Sequence, residues 1–220
     1  MAFTDSIVSA SGGQRDPAAG INSCIQETLF SGDMSDVSFA VGGGEFGNVK
    51  FFPAHKYIVS IRSTEFYTMF YGSVPEKGPQ VDITDCTPDA FENMLRYMYT
   101  DTVDKDKFTM DNVFPTLRCA DKYDLPQLAV MCLGFVTTQL NADNALDTLQ
   151  RAIQWCAEDI VETCLQLVDL QSDVILNSEQ FTTIAQDTLK MILQRGTISA
   201  EEYAIYLAVE RVGCCWKANC

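Results

Sequence analysis

The sequence predicts an α+β protein in which a small β-sheet flanked by helices is followed by a segment made of helices alone. Alternating apolar residues typical of strands occur only between residues 37 and 84. Beyond residue 87, apolar residues recur every three or four positions, which is the spacing of amphipathic helices. These patterns predict a mixed module at 21–141 and a helical one at 142–220, after a flexible, Ser- and Gly-rich tail at 1–20.

Composition and charge limit the classes of partner. The chain has 220 residues, of which 47% are hydrophobic, enough to bury a core in one large or two small domains. The formal net charge of −15 repels phosphate backbones and anionic lipid headgroups, and no run of Lys or Arg offsets that field locally. We therefore expect neither a nucleic acid nor a membrane as a partner.

Targeting signals and cysteine usage predict an intracellular, cytoplasmic protein. Residues 1–20 lack a charged start followed by an apolar stretch, and no segment approaches the roughly 18 to 20 apolar residues of a membrane span. The nine cysteines are odd in number and lie mostly within apolar patterns, so we expect thiols rather than disulfides. The clearest examples of cysteines in apolar patterns are Cys132, Cys156 and Cys164.

The first predicted elements are a short helix and a β-hairpin. In "INSCIQETLF", helical spacing places four residues on one side: Ile21, Cys24, Ile25 and Leu29. In "DVSFAV", strand alternation places three residues on one side: Val37, Phe39 and Val41. Strand character resumes at "NVKFF". The intervening "VGGGEFG" is predicted to be a mobile hairpin tip, because a phosphate-binding loop needs a Lys-Ser/Thr pair and a following helix.

Further helices and one more strand complete the mixed module. "STEFYTMFYG" is predicted to be a helix capped by Ser63 and stopped by Gly72 in the left-handed conformation. "VDIT" follows as a short strand. "TPDAFENMLRYMYT" predicts a helix with Thr87 as its cap and Pro88 at its first position. Two more helices fit "NVFPTLRCADKY" and "LPQLAVMCLGFVTTQL".

The C-terminal module is predicted to contain only helices. Four stretches carry helical spacing: "ADNALDTLQRAIQWCA", "DIVETCLQLVDL", "FTTIAQDTLKMIL" and "SAEEYAIYLAVERVGCCW". The last opens with a capping box, in which Ser199 and Glu202 could satisfy each other's exposed amides.

The residues offer little for catalysis or metal binding. His55, in "FFPAHKYIVS", is the one imidazole, so a catalytic dyad or triad would have to use it, and no nucleophile elbow occurs. We interpret His55 as an architectural residue at a strand-to-helix junction, with both ring nitrogens bound by nearby backbone groups. The thiols Cys214, Cys215 and Cys220 fit no standard ligand spacing and indicate a frayed helix end. We expect no catalytic residue, cofactor or metal. Apolar stripes in the N-terminal helix and around "FYTMFYG" favour a binding function.

Several stretches resemble one known family in the same order along the chain. They are "SDVSFAV", "FFPAHKYIVSIRSTEFYTMFYG", "VDITDCTPDAFENMLRYMYTD" and "LRCADKYDLPQLAVMCLGFVTTQL". From Asp36 to about Leu140, the chain resembles a BTB/POZ domain. The helices from "NADNALDTLQRA" onward resemble the start of a BACK domain, here incomplete. "FYTMFYG" and "YMYTDTVD" resemble the BTB-BACK branch that carries a C-terminal PHR β-sandwich, which these 220 residues lack.

The resemblance implies a non-catalytic substrate adaptor of a cullin-3 ubiquitin ligase. Such a BTB domain pairs with itself or another BTB protein and docks the cullin, so that a bound protein substrate is ubiquitinated. A φ-x-E motif after the M-F helix falls on Val74 and Glu76, and Tyr123 is a second cullin-facing candidate. The dimer interface is carried over to five residues: Ile21, Ile25, Leu29, Asp36 and Lys56. His55 lies in the family's A-H-K junction, which has no catalytic role.

Other interpretations stay open at this point. The chain could be a BTB scaffold or co-regulator that dimerises and binds peptides without a cullin. It could also be a cysteine-based enzyme that uses His55. Tyr123 could be a half-buried surface aromatic residue, and Asp36 with Lys56 an ordinary surface ion pair. The substrate is not predictable from these residues.

Overall fold

The structure is a computed structural model that describes residues 19–43, 47–104 and 106–218. The chain forms two compact units, Met1–Ala129 (unit 1) and Val130–Cys220 (unit 2). The boundary between the two units falls within a helix that the sequence assigned to the mixed module. The predicted domain boundary at residue 141 stays a prediction. The tip of the predicted hairpin, at 44–46, lies outside the described residues, as does the predicted tail up to residue 18.

Unit 1 contains a three-stranded sheet. Its strands are β1 (Val37–Val41), β2 (Lys50–Ala54) and β3 (Gln80–Ile83), in the order β2-β1-β3. β1 pairs antiparallel with β2, with Phe39 opposite Phe52, and parallel with β3. The predicted hairpin and third strand are confirmed. Because β1 is the central strand, Ala40 is buried as well as the three alternating residues that the sequence indicated.

Six helices begin in the described part of unit 1: α1 (Ile21–Thr28), α2 (Lys56–Arg62), α3 (Thr64–Tyr71), α4 (Pro88–Thr100), α5 (Val113–Lys122) and α6 (Pro126–Gln139). Two predicted caps are confirmed. The Ser63 hydroxyl accepts the Phe66 amide proton at 3.3 Å, and the Thr87 hydroxyl accepts that of Ala90 at 3.3 Å. Both contacts satisfy amides that the first helical turn leaves open. The bounds of α2, which follows the strand-to-helix junction at His55, were not predicted.

Gly72 ends α3 in a different way from the one predicted. Its φ is −72°, which is outside the left-handed region, so conformational freedom does not explain the glycine. A Cβ at this position would lie 2.3 Å from the carbonyl oxygen of Thr68. The glycine is required because the chain turns away closely against the last turn of α3.

Aromatic side chains form the centre of unit 1. The ring of Phe39, on the central strand, lies 5.2 Å from that of Phe66 on α3 and 5.1 Å from that of Phe91 on α4. All three side chains are fully buried. Tilted ring pairs at this spacing add to the free energy gained from burying apolar surface. The central strand β1 therefore packs against both α3 and α4 through Phe39.

After α6, the residues of unit 2 up to 218 form six helices: α7 (Ala145–Gln154), α8 (Glu158–Leu170), α9 (Ser172–Asn177), α10 (Glu179–Thr182), α11 (Gln186–Leu193) and α12 (Glu202–Ala218). No strand occurs in its described part, as predicted. The single helix expected for "FTTIAQDTLKMIL" is wrong: α10 and α11 are separated at Ile184, which is fully buried. Cys132 and Cys164 are buried, whereas Cys156 is exposed in the turn after α7, with φ of +54°.

A polar cluster in unit 2 replaces the predicted capping box. The Ser199 hydroxyl donates to the backbone carbonyl of Asp169 at 2.6 Å, and α12 begins later, at Glu202. One carboxylate oxygen of Asp169 accepts from Arg195 at 3.0 Å and from Thr197 at 2.7 Å. The other, Oδ1, is buried without a partner among the described residues. The cluster holds residues 195–199 against the end of α8.

No helix in the described ranges is long and apolar enough to cross a membrane.

Candidate functional site: protein-interaction surfaces of unit 1

His55 is fully committed to local hydrogen bonds. Its Nε2 lies 2.8 Å from the Asp33 carbonyl oxygen, and its Nδ1 lies 2.8 Å from the Tyr99 hydroxyl. A carbonyl can only accept, so we assign the proton to Nε2, and the Tyr99 hydroxyl then donates to Nδ1 while accepting the His55 amide proton at 2.9 Å. Burial raises the pKa of Tyr99 to about 12, so this hydroxyl keeps its proton. The architectural interpretation fits, although one partner is a side chain.

Metal-binding chemistry is likewise not assembled in the described part of the chain. No group of three or more His, Cys, Asp or Glu side chains there could hold a metal ion. Unit 1 instead exposes several apolar side chains, and clusters of such side chains commonly bind other proteins.

The loop after α3 presents one apolar side chain and one carboxylate. Val74 is 89% exposed, the largest exposed fraction among the large hydrophobic residues described. The Glu76 amide donates to the Met69 carbonyl of α3 at 2.8 Å, which ties the loop to the helix. The Glu76 carboxylate accepts the Gly78 amide proton at 3.0 Å through Oε1. The loop therefore holds an exposed valine beside an oriented carboxylate.

Helices α2 and α3 carry exposed apolar residues, of which only those of α3 fall in the apolar stripe indicated by "FYTMFYG". On α3, Tyr67 and Tyr71 are 57% and 52% exposed, with ring centroids 5.9 Å apart. On α2, Tyr57 and Ile61 are 68% and 61% exposed. Each pair is spaced by four residues and therefore lies on one helix face. The four-residue spacing could have indicated these faces from the sequence. On α3, however, the buried Phe66 and Phe70 lie next to Tyr67 and Tyr71, so the apolar pattern alone does not show which residues are exposed.

Tyr123 is buried, which corrects both expectations for it. Its side chain is 1% exposed, and its ring stacks on that of Phe66 with centroids 4.5 Å apart. Its hydroxyl has no hydrogen-bond partner among the described residues. Burial raises the pKa of this phenol. The ring cannot touch a partner in this conformation, because it is part of the core.

Helix α1 exposes part of its predicted apolar stripe. Ile21 is 76% exposed, and Ile25 and Leu29 are half-buried. α1 packs against α4 of the same chain, and the Arg96 guanidinium lies 5.7 Å from the ring centroid of Phe30, just after α1. The helix is therefore docked along one side and leaves apolar surface on the other.

Asp36 and Lys56 meet through the backbone rather than as an ion pair. The Asp36 carboxylate accepts the backbone amide proton of Lys56 at 2.7 Å, at the start of α2. The Lys56 ammonium lies 3.4 Å from the Gly78 carbonyl oxygen and 5.1 Å from the ring centroid of Phe70. Asp36 thus stabilises a helix N-terminus, where negative charge is favoured.

Comparison with known proteins identifies the family. The BTB/POZ domain matches residues 25–140, more than half of the chain. The chain belongs to the BTB/POZ family. The BTB/POZ domain is a protein-interaction module, in agreement with the exposed apolar side chains on α1, α2, α3 and the loop that follows. The predicted α+β fold class and the resemblance to this family are both confirmed.

Similar BTB/POZ proteins are much longer than this chain. BTB/POZ domain-containing protein 3 of Homo sapiens is 37% identical over 181 residues, covering 82% of this chain and 34% of that protein. BTB/POZ domain-containing protein 6 of Xenopus laevis is 38% identical over 176 residues, covering 80% and 32%. The chain therefore spans about a third of the length of these relatives. The BTB domain of zebrafish PATZ1 superposes with a TM-score of 0.38 and 20% identity, covering 47% of this chain and 76% of that one.

Proposed function

We propose that this BTB/POZ protein is a non-catalytic adaptor that binds a cullin-3 type ubiquitin ligase scaffold and presents protein substrates for ubiquitination. The observation that carries the proposal is the loop after α3, which matches the φ-x-E motif with Val74 exposed and Glu76 oriented. Residues 142–220 would act in it as the start of a BACK domain.

The two loop residues, Val74 and Glu76, differ in exposure and in how they are held. Val74, at 89% exposure, gains free energy only when a partner removes it from water. The backbone of Glu76 is fixed to α3, so its carboxylate is placed without a large loss of conformational freedom on binding. An apolar contact and a charged contact two residues apart together make a small surface selective. Tyr123 is not included among the proposed cullin-binding residues, because its ring is buried.

Cullin binding is expected to weaken when either loop residue is truncated. Val74→Ala removes apolar surface worth about 1 to 1.5 kcal/mol at a buried contact, which raises Kd about five- to tenfold. Glu76→Ala is expected to cause a comparable loss. The measurement is a calorimetric titration of the purified N-terminal domain of a cullin-3 type scaffold against this chain, with the mass of the complex from light scattering.

A matched control comes from another exposed valine. Val49 is 48% exposed beside β2, so Val49→Ala tests the same chemical change outside the loop and should leave Kd unchanged. Wild-type affinity in the doubly substituted Val74→Ala, Glu76→Ala variant would show that the loop does not dock the cullin. Absence of cullin binding by the wild-type chain would favour the alternative function, a scaffold that binds peptides without a cullin.

We further propose that the adaptor self-associates through the exposed side of α1. Ile21→Asp is expected to weaken the dimer about 30-fold or more, because it places a charge at an apolar contact worth about 2 kcal/mol. Sedimentation across a concentration series measures the dimer Kd. Gln26→Asp puts the same charge on an exposed position of the same helix, outside the apolar stripe, and should leave the dimer intact. Equal Kd values for the two variants would show that α1 does not form the interface.

A further inference from the structure

Two cysteines in unit 1 lie in contact and have no role in the proposed docking surfaces. Cys86 immediately precedes Thr87, the cap of α4, and Cys119 lies near the end of α5. Their Sγ atoms are 2.9 Å apart, and the residues are 4% and 2% exposed. Among the other described cysteines, Cys132 and Cys164 are also buried. Burial alone therefore does not mark the pair, whose defining feature is the contact between its two sulfurs.

The geometry favours bond formation between these sulfurs. A disulfide bond is about 2.05 Å long, so the two Sγ atoms need to approach by only about 0.9 Å. Cys86 and Cys119 are 33 residues apart in sequence and lie on elements that pack together, because α4 and α5 are in contact. The bond would join the start of α4 to the end of α5 within one chain.

The surroundings distinguish the two thiols chemically. Cys86 lies just before the N-terminus of α4, where exposed amides favour negative charge. The Cys119 thiol donates to the Cys86 sulfur, which lowers the pKa of Cys86 against the opposing effect of burial. The same contact, together with burial, raises the pKa of Cys119. The positive charge of Lys122 also lowers the pKa of Cys86, whereas the negative charge of Asp85 raises it. Lys122 and Asp85 form an ion pair with each other.

We propose that Cys86 and Cys119 form a redox site that hydrogen peroxide converts into an intrachain disulfide. The Cys86 thiolate attacks one peroxide oxygen, the O–O bond breaks, and a sulfenic acid and hydroxide result. The Cys119 sulfur then attacks the Cys86 sulfur, and the hydroxyl leaves as water with the Cys119 proton. Two thiols lose two electrons in total, and one peroxide is reduced to two waters.

Peptide mapping of the full chain tests the site directly. The reduced protein is treated with increasing hydrogen peroxide, remaining thiols are blocked with N-ethylmaleimide, and trypsin releases the peptides 78–96 and 119–122, each with one cysteine. We expect the two peptides to appear joined, 2 Da lighter than the sum of their reduced masses, and to separate after treatment with dithiothreitol. The proposal would be overturned if no joined peptide were found at a peroxide concentration that already oxidises the exposed Cys156. It would also be overturned if Cys86 or Cys119 formed its disulfide with any other cysteine.

A buried, unpaired thiol supplies the matched control. Burial raises the pKa of Cys164 to about 12, so this thiol is expected to lag the pair at least about tenfold in its rate of oxidation. Cys119→Ser should leave a Cys86 sulfenic acid that dimedone traps, whereas Cys164→Ser should leave the joined peptide unchanged. Equal oxidation rates of Cys164 and the pair in the wild-type chain would contradict the proposal even if the serine variants fail to fold.

Discussion

Replacing Tyr123 with alanine is expected to lower the free energy of unfolding of unit 1 by about 3 to 5 kcal/mol. The ring is 1% exposed and stacks on Phe66, so its removal leaves a cavity at the centre of the core as well as losing buried apolar surface. Hydrogen exchange of the buried amides of β1 measures the effect in unit 1. Both tryptophans, Trp155 and Trp216, lie in unit 2, so intrinsic tryptophan fluorescence would miss it.

Two further variants separate packing from surface contact. Tyr123→Phe keeps the ring and removes a buried hydroxyl that has no hydrogen-bond partner in the described part of the chain, so stability should be unchanged or rise by about 1 kcal/mol. Tyr67→Ala makes the same truncation at a residue that is 57% exposed and should cost less than about 1 kcal/mol. If Tyr123→Ala were as mild as Tyr67→Ala, the ring would not belong to the core.

Replacing Arg195 with methionine is expected to destabilise unit 2 by about 2 to 3 kcal/mol. Arg195 donates to Asp169, whose side chain is only 11% exposed, and removal of the cation leaves that carboxylate buried without its charged partner. The estimate lies below the range for a fully buried pair because the Arg195 side chain is 23% exposed. Urea unfolding followed by tryptophan fluorescence reports on this unit.

The control for Arg195 is a cation in an exposed ion pair. Lys190 lies 3.3 Å from Asp187, with exposed fractions of 59% and 97%, so Lys190→Met should change stability by less than about 0.5 kcal/mol. Both variants remove one positive charge, but only Arg195 has a buried partner carboxylate. Similar unfolding midpoints would mean that Asp169 does not depend on Arg195.

Acid should weaken the same cluster through Glu162. Arg195 donates two hydrogen bonds to Glu162 at 2.9 and 3.1 Å, and these bonds lower the pKa of its carboxyl group. A carboxyl group whose pKa is lowered on folding stabilises the protein above its unfolded pKa. That stabilisation is lost as the pH falls through the folded pKa.

Local signals in the sequence were sufficient for many elements of this fold. Thr87 and Pro88 predicted the start of α4, because a cap and a proline at the first helical position act within a few residues. Ser63 predicted the start of α3 for the same reason. The alternation around Phe39 predicted β1, and only the position of that strand at the centre of the sheet, which depends on distant pairing, was out of reach.

Long-range contacts account for what the sequence could not predict. The Ser199 hydroxyl is used by Asp169, 30 residues away, and not by the amides of α12. Tyr123 was assigned to a surface by the family resemblance, but its ring is buried and stacks on Phe66 of another helix. The resemblance matched Asp36 and Lys56 to a charged pair of the family, whereas the structure joins the Asp36 carboxylate to the Lys56 backbone amide. In each case the deciding partner is distant in sequence or belongs to the backbone.

The close approach at Gly72 fixes the position of the loop after α3 but not the side chains that the loop exposes. Any larger side chain at residue 72 would strike the Thr68 carbonyl, so mutation can hardly move the start of the segment that follows α3. Val74, two residues later, is open to solvent and tolerates almost any replacement without disturbing the core. On the proposed docking surface, a single substitution at residue 74 would therefore alter partner preference while the fold that displays this residue stays the same.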